Sequence, residues 1–206
     1  MDNAPFSGDS IIITEANKQL AAAAQHLEPI VLLGEEGVGK KRAAQWVHLH
    51  SSLKESAFKI HDVAHAGMLP EIIPAQAATI FIQHIEKAGK IDKAMFSKKY
   101  ADTSKFKNRL VIAVDNLNPI GHLEIQHIIQ LPALRERVGD IPLLASQFCE
   151  NYKRLYHKPD VFISDSFLHR LQHYHWPGNT AELKERLRVA IEKLESGELT
   201  AEMVLS

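Results

Sequence analysis

Three glycines and a lysine set out the chemistry for which this chain is equipped. In Pro29-Ile30-Val31-Leu32-Leu33-Gly34-Glu35-Glu36-Gly37-Val38-Gly39-Lys40 an apolar run ends at a glycine and a lysine opens the next periodic segment. That is the strand, loop and helix order of a P-loop. Glycines at 34, 37 and 39 let the backbone turn with its N–H groups pointing inward, and a following helix adds its positive N-terminal end. Lys40 then reaches the outer phosphates of a nucleotide. The next position, where the general pattern has Ser or Thr on the metal ion, is Lys41. A Gly-rich strand-to-helix turn with a solvated basic end is the plainer reading of the same residues. The flanks favour phosphate: a buried-strand pattern precedes the loop, and Ala43, Trp46, Val47 and His50 share one helical face after it.

The elements that must hold this loop follow from composition and pattern. With 206 residues, 45% hydrophobic and 24% charged, the chain has enough apolar material for a core without staples. A formal charge of −1 supplies no overall basic field for nucleic acid. One cysteine, Cys149, sits in an apolar helical pattern and reads as a packed thiol in a reducing compartment. No apolar stretch spans a bilayer and no signal pattern opens the chain, so the expected location is cytoplasmic. Among the twelve histidines, His61 and His65 fit one helix face and His173 and His175 flank Tyr174. Neither pair has a cysteine or carboxylate at ligand spacing, and no metal site is expected.

Residues 14–28 read as an alanine-rich helix capped by Thr14. Ala57–Ile60, Ala78–Ile82, Arg109–Val114 and Ile125–Ile129 read as strands, with loop-like sequence through Pro70 and Pro74 and a Lys-rich stretch running to Asn108. Strands alternating with helices from the N-terminus through Ile129 indicate a parallel α/β sheet with its ligand at the strands' C-terminal ends. Three helical patterns follow. Asp140 caps a run containing Ile141, Leu144, Phe148 and Tyr152; Ser164 precedes one with Phe167, Leu168, Leu171 and Tyr174. Asn179 and Glu182 are spaced as a capping box before Leu183, Leu187, Ala190, Ile191 and Leu194, and Gly197 stops the run. Two subdomains are expected: 1–138, α/β and nucleotide-binding, and 139–206, helical.

Several stretches together resemble the AAA+ domain of bacterial sigma-54-dependent transcription activators, the enhancer-binding proteins. Gly34–Lys40 resembles the family's GESGTGKE loop, which also lacks a hydroxyl after the lysine. Val47-His48-Leu49-His50-Ser51-Ser52 followed by Ala57-Phe58 is similar to its "IH..S" and "PF" segment. The run from Leu131 to Ala145 is similar to LPPLRERxEDIPLLA, and Tyr174 to Leu183 to YxWPGNVREL. The likeness runs from about Gly8 to Met203 and implies a P-loop NTPase AAA+ core followed by a small helical lid.

The same resemblance marks what this chain lacks. Against the family's GGTLFLDEI, Gln83 and His84 stand where an Asp orients magnesium and a Glu activates water. A neutral amide does not offset a divalent cation as a carboxylate does, and an imidazole is a different base in a different geometry. No GAFTGA segment lies between Lys40 and Thr79. No Arg or Lys lies between Leu110 and Leu134 to serve as the arginine finger, and Ala181 replaces the lid arginine that senses the γ-phosphate.

The expectation is therefore a degenerate regulatory AAA+ protein. It binds ATP or ADP through Gly34, Glu35, Glu36, Gly37, Val38, Gly39, Lys40 and Lys41, with Mg²⁺ weakly held or absent and little or no hydrolysis. It works by contact with another AAA+ protein or a transcription-regulatory protein, as a monomer or weak dimer, with no autonomous DNA-binding module and no membrane association. Two alternatives stand beside it: a slow ATPase using His84 or Glu86 as base, and a structural interaction module whose P-loop is a relic. Arg135 and Arg137 are read as holding the joint between sheet and lid, through Glu136, Asp140 or backbone, rather than as phosphate ligands.

Overall fold

Three apolar strands take the centre of the sheet and two mixed ones its edges. In this computed structural model, which describes residues 4–67, 77–88, 108–120, 125 and 127–205, β1 (Ile30–Leu33), β3 (Ala78–Gln83) and β4 (Arg109–Val114) are almost wholly buried. The outer strands β2 (Ala57–Asp62) and β5 (His127–Gln130) are largely open to solvent. All pairings are parallel, in the order β2-β3-β4-β1-β5. Alternation splits the strands' side chains between two apolar layers. Ile30, Leu32, Phe81, Val111 and Ala113 face α1 (Ile11–Ala24) and α2 (Lys40–Leu49), while Val31, Ile80, Ile82, Ile112 and Val114 fill the other face. The parallel α/β core expected from the alternating patterns is present.

Several local expectations are corrected by tertiary contacts. The first helix begins at Ile11, before Thr14, and ends at Ala24. Its start is tied down from a distance: the Asp140 carboxylate accepts from the backbone N–H groups of Asp9 (2.9 Å) and Ser10 (3.0 Å) and from the Ser10 hydroxyl (2.6 Å). Asp140 therefore makes no side-chain cap on its own helix, α4 (Ile141–Leu155). On α2 the buried face is Ala43, Ala44, Val47 and His48; His50 is exposed and stacks on Trp46. β2 continues past Ile60 to Asp62, and β5 begins at His127 rather than Ile125. His61 lies in β2 and His65 in the short helix α3 (Val63–Ala66), so they share no helix face. The loop-like region with Pro70 and Pro74, and the Lys-rich stretch over 89–107, fall outside the described residues.

Arg109 opens β4 fully buried, with its guanidinium against the ends of two helices. Its guanidinium donates to the carbonyls of Ala23 (3.1 Å), Ala24 (3.3 Å) and Val47 (3.4 Å), where α1 and α2 finish. The negative ends of both helices thus meet one cation. Burial still pushes its pKa down to about 10.

After a 3-10 turn at Leu134–Asp140, the chain packs α4, α5 (Asp165–Gln172), α6 (Asn179–Lys193) and α7 (Ala201–Leu205) around a second core. Trp176 is the largest fully buried side chain there, and its indole N–H donates to the carbonyl of Leu171 at 2.8 Å. Ser164 caps α5 as its spacing indicates, accepting from the N–H of Phe167 at 3.3 Å. Cys149 is buried in the same core, where desolvation pushes its thiol up to about 12. Two-residue strands β6 (Val161–Phe162) and β7 (Gly197–Glu198) pair beside this core.

Candidate functional site

The loop from Gly34 to Lys40 leaves β1 at the C-terminal edge of the sheet and turns directly into α2. Two of its glycines sit at positive φ, Gly37 at 79° and Gly39 at 106°. At Gly37 a Cβ would lie 2.1 Å from the carbonyl oxygen of Gly178, so the close approach of the lid also demands glycine. Val38 is buried in the core beneath, which holds the turn against the sheet.

Lys40 is folded back into the loop. Its ammonium donates to the carbonyls of Gly34 (2.5 Å) and Glu35 (3.2 Å) and pairs with Asp115 Oδ1 (2.5 Å). Asp115 follows the last residue of β4 and was missed in the sequence; its place directly after a buried parallel strand was the available signal. Lys41 is exposed and lines the same opening.

The lid grips the loop through Asn179. Its side-chain NH₂ donates to the Glu36 carbonyl (2.8 Å) and to Glu35 (3.1 Å), while its oxygen accepts from the N–H of Leu134 (2.8 Å). Asn179 is fully buried at φ 54°. That is a left-handed conformation, which asparagine tolerates. The capping box expected from Asn179 and Glu182 is therefore only half formed. Gly178 is the cap residue, Glu182 accepts from its N–H at 2.8 Å, and Asn179 has been turned outward to the P-loop. The backbone N–H of Ala181 donates to the Gly37 carbonyl at 3.1 Å.

Arg135 also reaches the loop, as a two-pronged donor to Glu35 rather than a partner of Glu136 or Asp140. The Arg135 guanidinium, then the Asn179 amide, hold the Glu35 carboxyl down to about 2. Arg137 is buried and donates to the Thr180 hydroxyl at 3.0 Å. Arg135 thus ties the start of the lid to the loop, while the hydrogen bond of Arg137 stays within the lid span.

On the far side of the opening, β2 and β3 end side by side, with Asp62 opposite Gln83. The Asp62 carboxylate takes four donors: Gln83 Nε2 (2.9 Å), His84 Nδ1 (2.7 Å), His65 Nδ1 (2.8 Å) and the N–H of Ala64 (3.0 Å). The His84 contact above all, then Gln83 and His65, hold its pKa below the usual carboxylate range. An ionised carboxylate only accepts, so both imidazoles carry their proton on Nδ1 here. His84 adopts φ 57°, and Glu86 lies beyond the strand in the 3-10 turn Ile85–Lys87. Strand alternation therefore does not place Glu86 beside His84.

Two cavities meet across the loop, sharing Gly37, Gly39 and Ala181. One of about 190 Å³ is walled by Phe6, Arg42, Arg137, Phe148 and Lys184. The other, about 650 Å³, runs past Lys40, Gln83, His84, Glu86 and Asp115. Phe6 is fixed by reciprocal hydrogen bonds with Asn17 and backs onto Gly39. Among the described residues no three His, Cys, Asp or Glu side chains cluster as a metal site, and no helix is long and apolar enough to cross a membrane.

Residues 7–116 match the sigma-54 interaction domain, and residues 135–205 match the AAA+ ATPase lid domain. The chain belongs to the sigma-54 interaction domain family. The transcriptional regulatory protein XylR of Pseudomonas putida is 28% identical across 85% of this chain and 39% of its own length. The anaerobic nitric oxide reductase transcription regulator NorR of Aeromonas hydrophila is 44% identical over a shorter stretch, 30% of this chain and 12% of its own. The crystal structure of NtrX from Brucella abortus in complex with ATP superposes with a TM-score of 0.82 at 17% identity, covering 97% of this chain and 54% of that one. The chain thus spans well under half the length of XylR and about half of the NtrX chain. The glycine-rich loop Gly34–Lys40 and the β3 end at Gln83 both lie within the span that matches the sigma-54 interaction domain.

Proposed function

We propose that this sigma-54-activator-like AAA+ domain binds ATP or ADP through Gly34–Lys40 with little or no hydrolysis, and that it acts in transcription regulation through protein contacts. One observation carries the reading: Gln83 and His84 both hydrogen-bond to Asp62 and bring no carboxylate to the phosphate side. The loop opposite keeps its positive-φ glycines and its lysine ammonium. Backbone donors and a lysine grip phosphate without the missing carboxylates, whereas loss of a water-activating base commonly costs about 10²–10⁴ in rate. Magnesium is held weakly or not at all on this reading, because Asp62 has its lone pairs filled and Gln83 is neutral.

The two cavities give the nucleotide a course, with its base beside Phe6 and its phosphates over the loop toward Lys40. Residues 1–138 then form the nucleotide-binding subdomain and 139–206 the lid. The partner is another AAA+ protein or a transcription-regulatory protein in the cytoplasm. The chain itself is a monomer or weak dimer on this reading, because the sequence lacks the arginine finger that, with nucleotide, ties neighbouring subunits in the family.

Calorimetric titration with ATP and ADP, paired with phosphate release from the same sample, tests the proposal. Binding that disappears in Lys40→Ala, with release at background, is expected. Brisk Lys40-dependent release would overturn the loss of hydrolysis, and no binding by the wild type would leave the loop a structural turn. Light scattering that found a stable hexamer would remove the oligomer assignment.

A second reading has one contact in its favour. Asp62 holds His84 through Nδ1, the arrangement that leaves Nε2 of an imidazole free to accept a proton. Slow release lost in both Lys40→Ala and His84→Ala would support that base.

A further inference from the structure

Lys40 has no donor to spare. An ammonium carries three N–H bonds, and here they meet the carbonyls of Gly34 and Glu35 and the carboxylate of Asp115. The two carbonyls belong to the loop itself. Asp115 comes from the neighbouring strand β4 and reaches across the mouth of the sheet, its side chain 65% exposed against 14% for Lys40. An outer phosphate oxygen seeking Lys40 must take the place of Asp115. A displaced carboxylate remains tethered at the end of β4, where it faces the incoming charge from short range. A β-phosphate shares Lys40 with the backbone N–H groups of the loop, whereas a third phosphate adds its full charge on the side of the displaced Asp115 carboxylate.

We infer that the Lys40–Asp115 pair makes this a nucleoside diphosphate site, with the Asp115 carboxylate standing where a third phosphate would meet the lysine. The inference rests on the nucleotide-binding reading above and adds which nucleotide is preferred. Its competitor is a role for Asp115 as a divalent-cation ligand in place of the family's missing carboxylate, which would favour the triphosphate in the presence of the metal.

Calorimetric titration of ADP and ATP, each with Mg²⁺ and with EDTA, against wild type, Asp115→Asn and Lys40→Ala decides it. Wild type is expected to bind ADP about tenfold more tightly than ATP with or without Mg²⁺, the discrimination of one like-charge contact at a partly solvated site. Asp115→Asn should close the gap by strengthening ATP, and Lys40→Ala should weaken both nucleotides. Equal Lys40-dependent binding of ADP and ATP by wild type would overturn the inference and leave the nucleotide reading standing. A preference for ATP that needs Mg²⁺ and is lost in Asp115→Asn would assign the carboxylate to a cation instead. Failure of either nucleotide to bind would remove the reading and the inference together.

Discussion

The two sides of the opening at the C-terminal edge of the sheet are built on different terms. On one side the P-loop is held by the lid and by the turn that leads into it: Asn179, Ala181 and Arg135 all terminate on Glu35, Glu36 or Gly37. On the other, the ends of β2 and β3 are turned toward each other, with Gln83, His84 and His65 gathered on Asp62. The loop side presents backbone donors and a lysine, the parts that grip phosphate. The strand side turns its polar groups toward Asp62. On the proposed reading binding and turnover are separable, because they draw on residues delivered by different strands.

The largest effect expected from breaking this contrast lies in the lid core. Trp176 is fully buried. Trp176→Ala should cost about 3–5 kcal/mol in chemical denaturation, as loss of a buried aromatic does, and should take nucleotide binding with it if the lid shapes the loop. Retained affinity in a destabilised Trp176→Ala sample would separate loop from lid. Lys40→Ala should weaken nucleotide binding by roughly a hundredfold in calorimetry, from a charge-assisted contact worth about 1.5–3 kcal/mol. Asn179→Ala leaves the buried N–H of Leu134 without its acceptor. Stability should fall by about 1–3 kcal/mol, read from the urea midpoint.

Acid sharpens the same contrast. Arg135 and Asn179 hold the Glu35 carboxyl at about 2, below its ordinary 4.5. A lowered pKa stabilises the fold fully above the unfolded value and gives that up as pH falls through the folded one. Wild type should thus lose stability between about pH 4.5 and 2. Glu35→Gln should show a flatter profile in that window. The smallest effect is expected on the strand side, where Gln83→Ala should change ADP affinity by less than about threefold. A larger loss would mean that Gln83 reaches the phosphates after all.

Much of the architecture was legible because periodicity is local. The apolar runs at Ile30–Leu33, Ala78–Gln83 and Arg109–Val114 could be buried only as central strands, and Gly37 and Gly39 announced a turn that other residues cannot make. Ser164 acted as its spacing indicated. Asp140 and Asn179 did not, because each carries the side-chain chemistry of a cap but found a stronger demand elsewhere: unpaired N–H groups at Asp9 and Ser10 for one, the P-loop for the other. Arg109 looked like an ordinary strand start and proved to be the cation under two helix ends.

The sequence by itself determined the parallel sheet and the glycine-rich loop with its lysine, since those depend on residue type and short-range spacing. Only the tertiary structure decided that Asp115 meets Lys40, that Asp62 collects Gln83 and His84, and that Asn179 and Arg135 close on Glu35. Those contacts join residues from 21 to 144 positions apart. Hydrogen bonds and ion pairs are short-ranged in space and indifferent to distance along the chain, so nothing in local pattern could announce them.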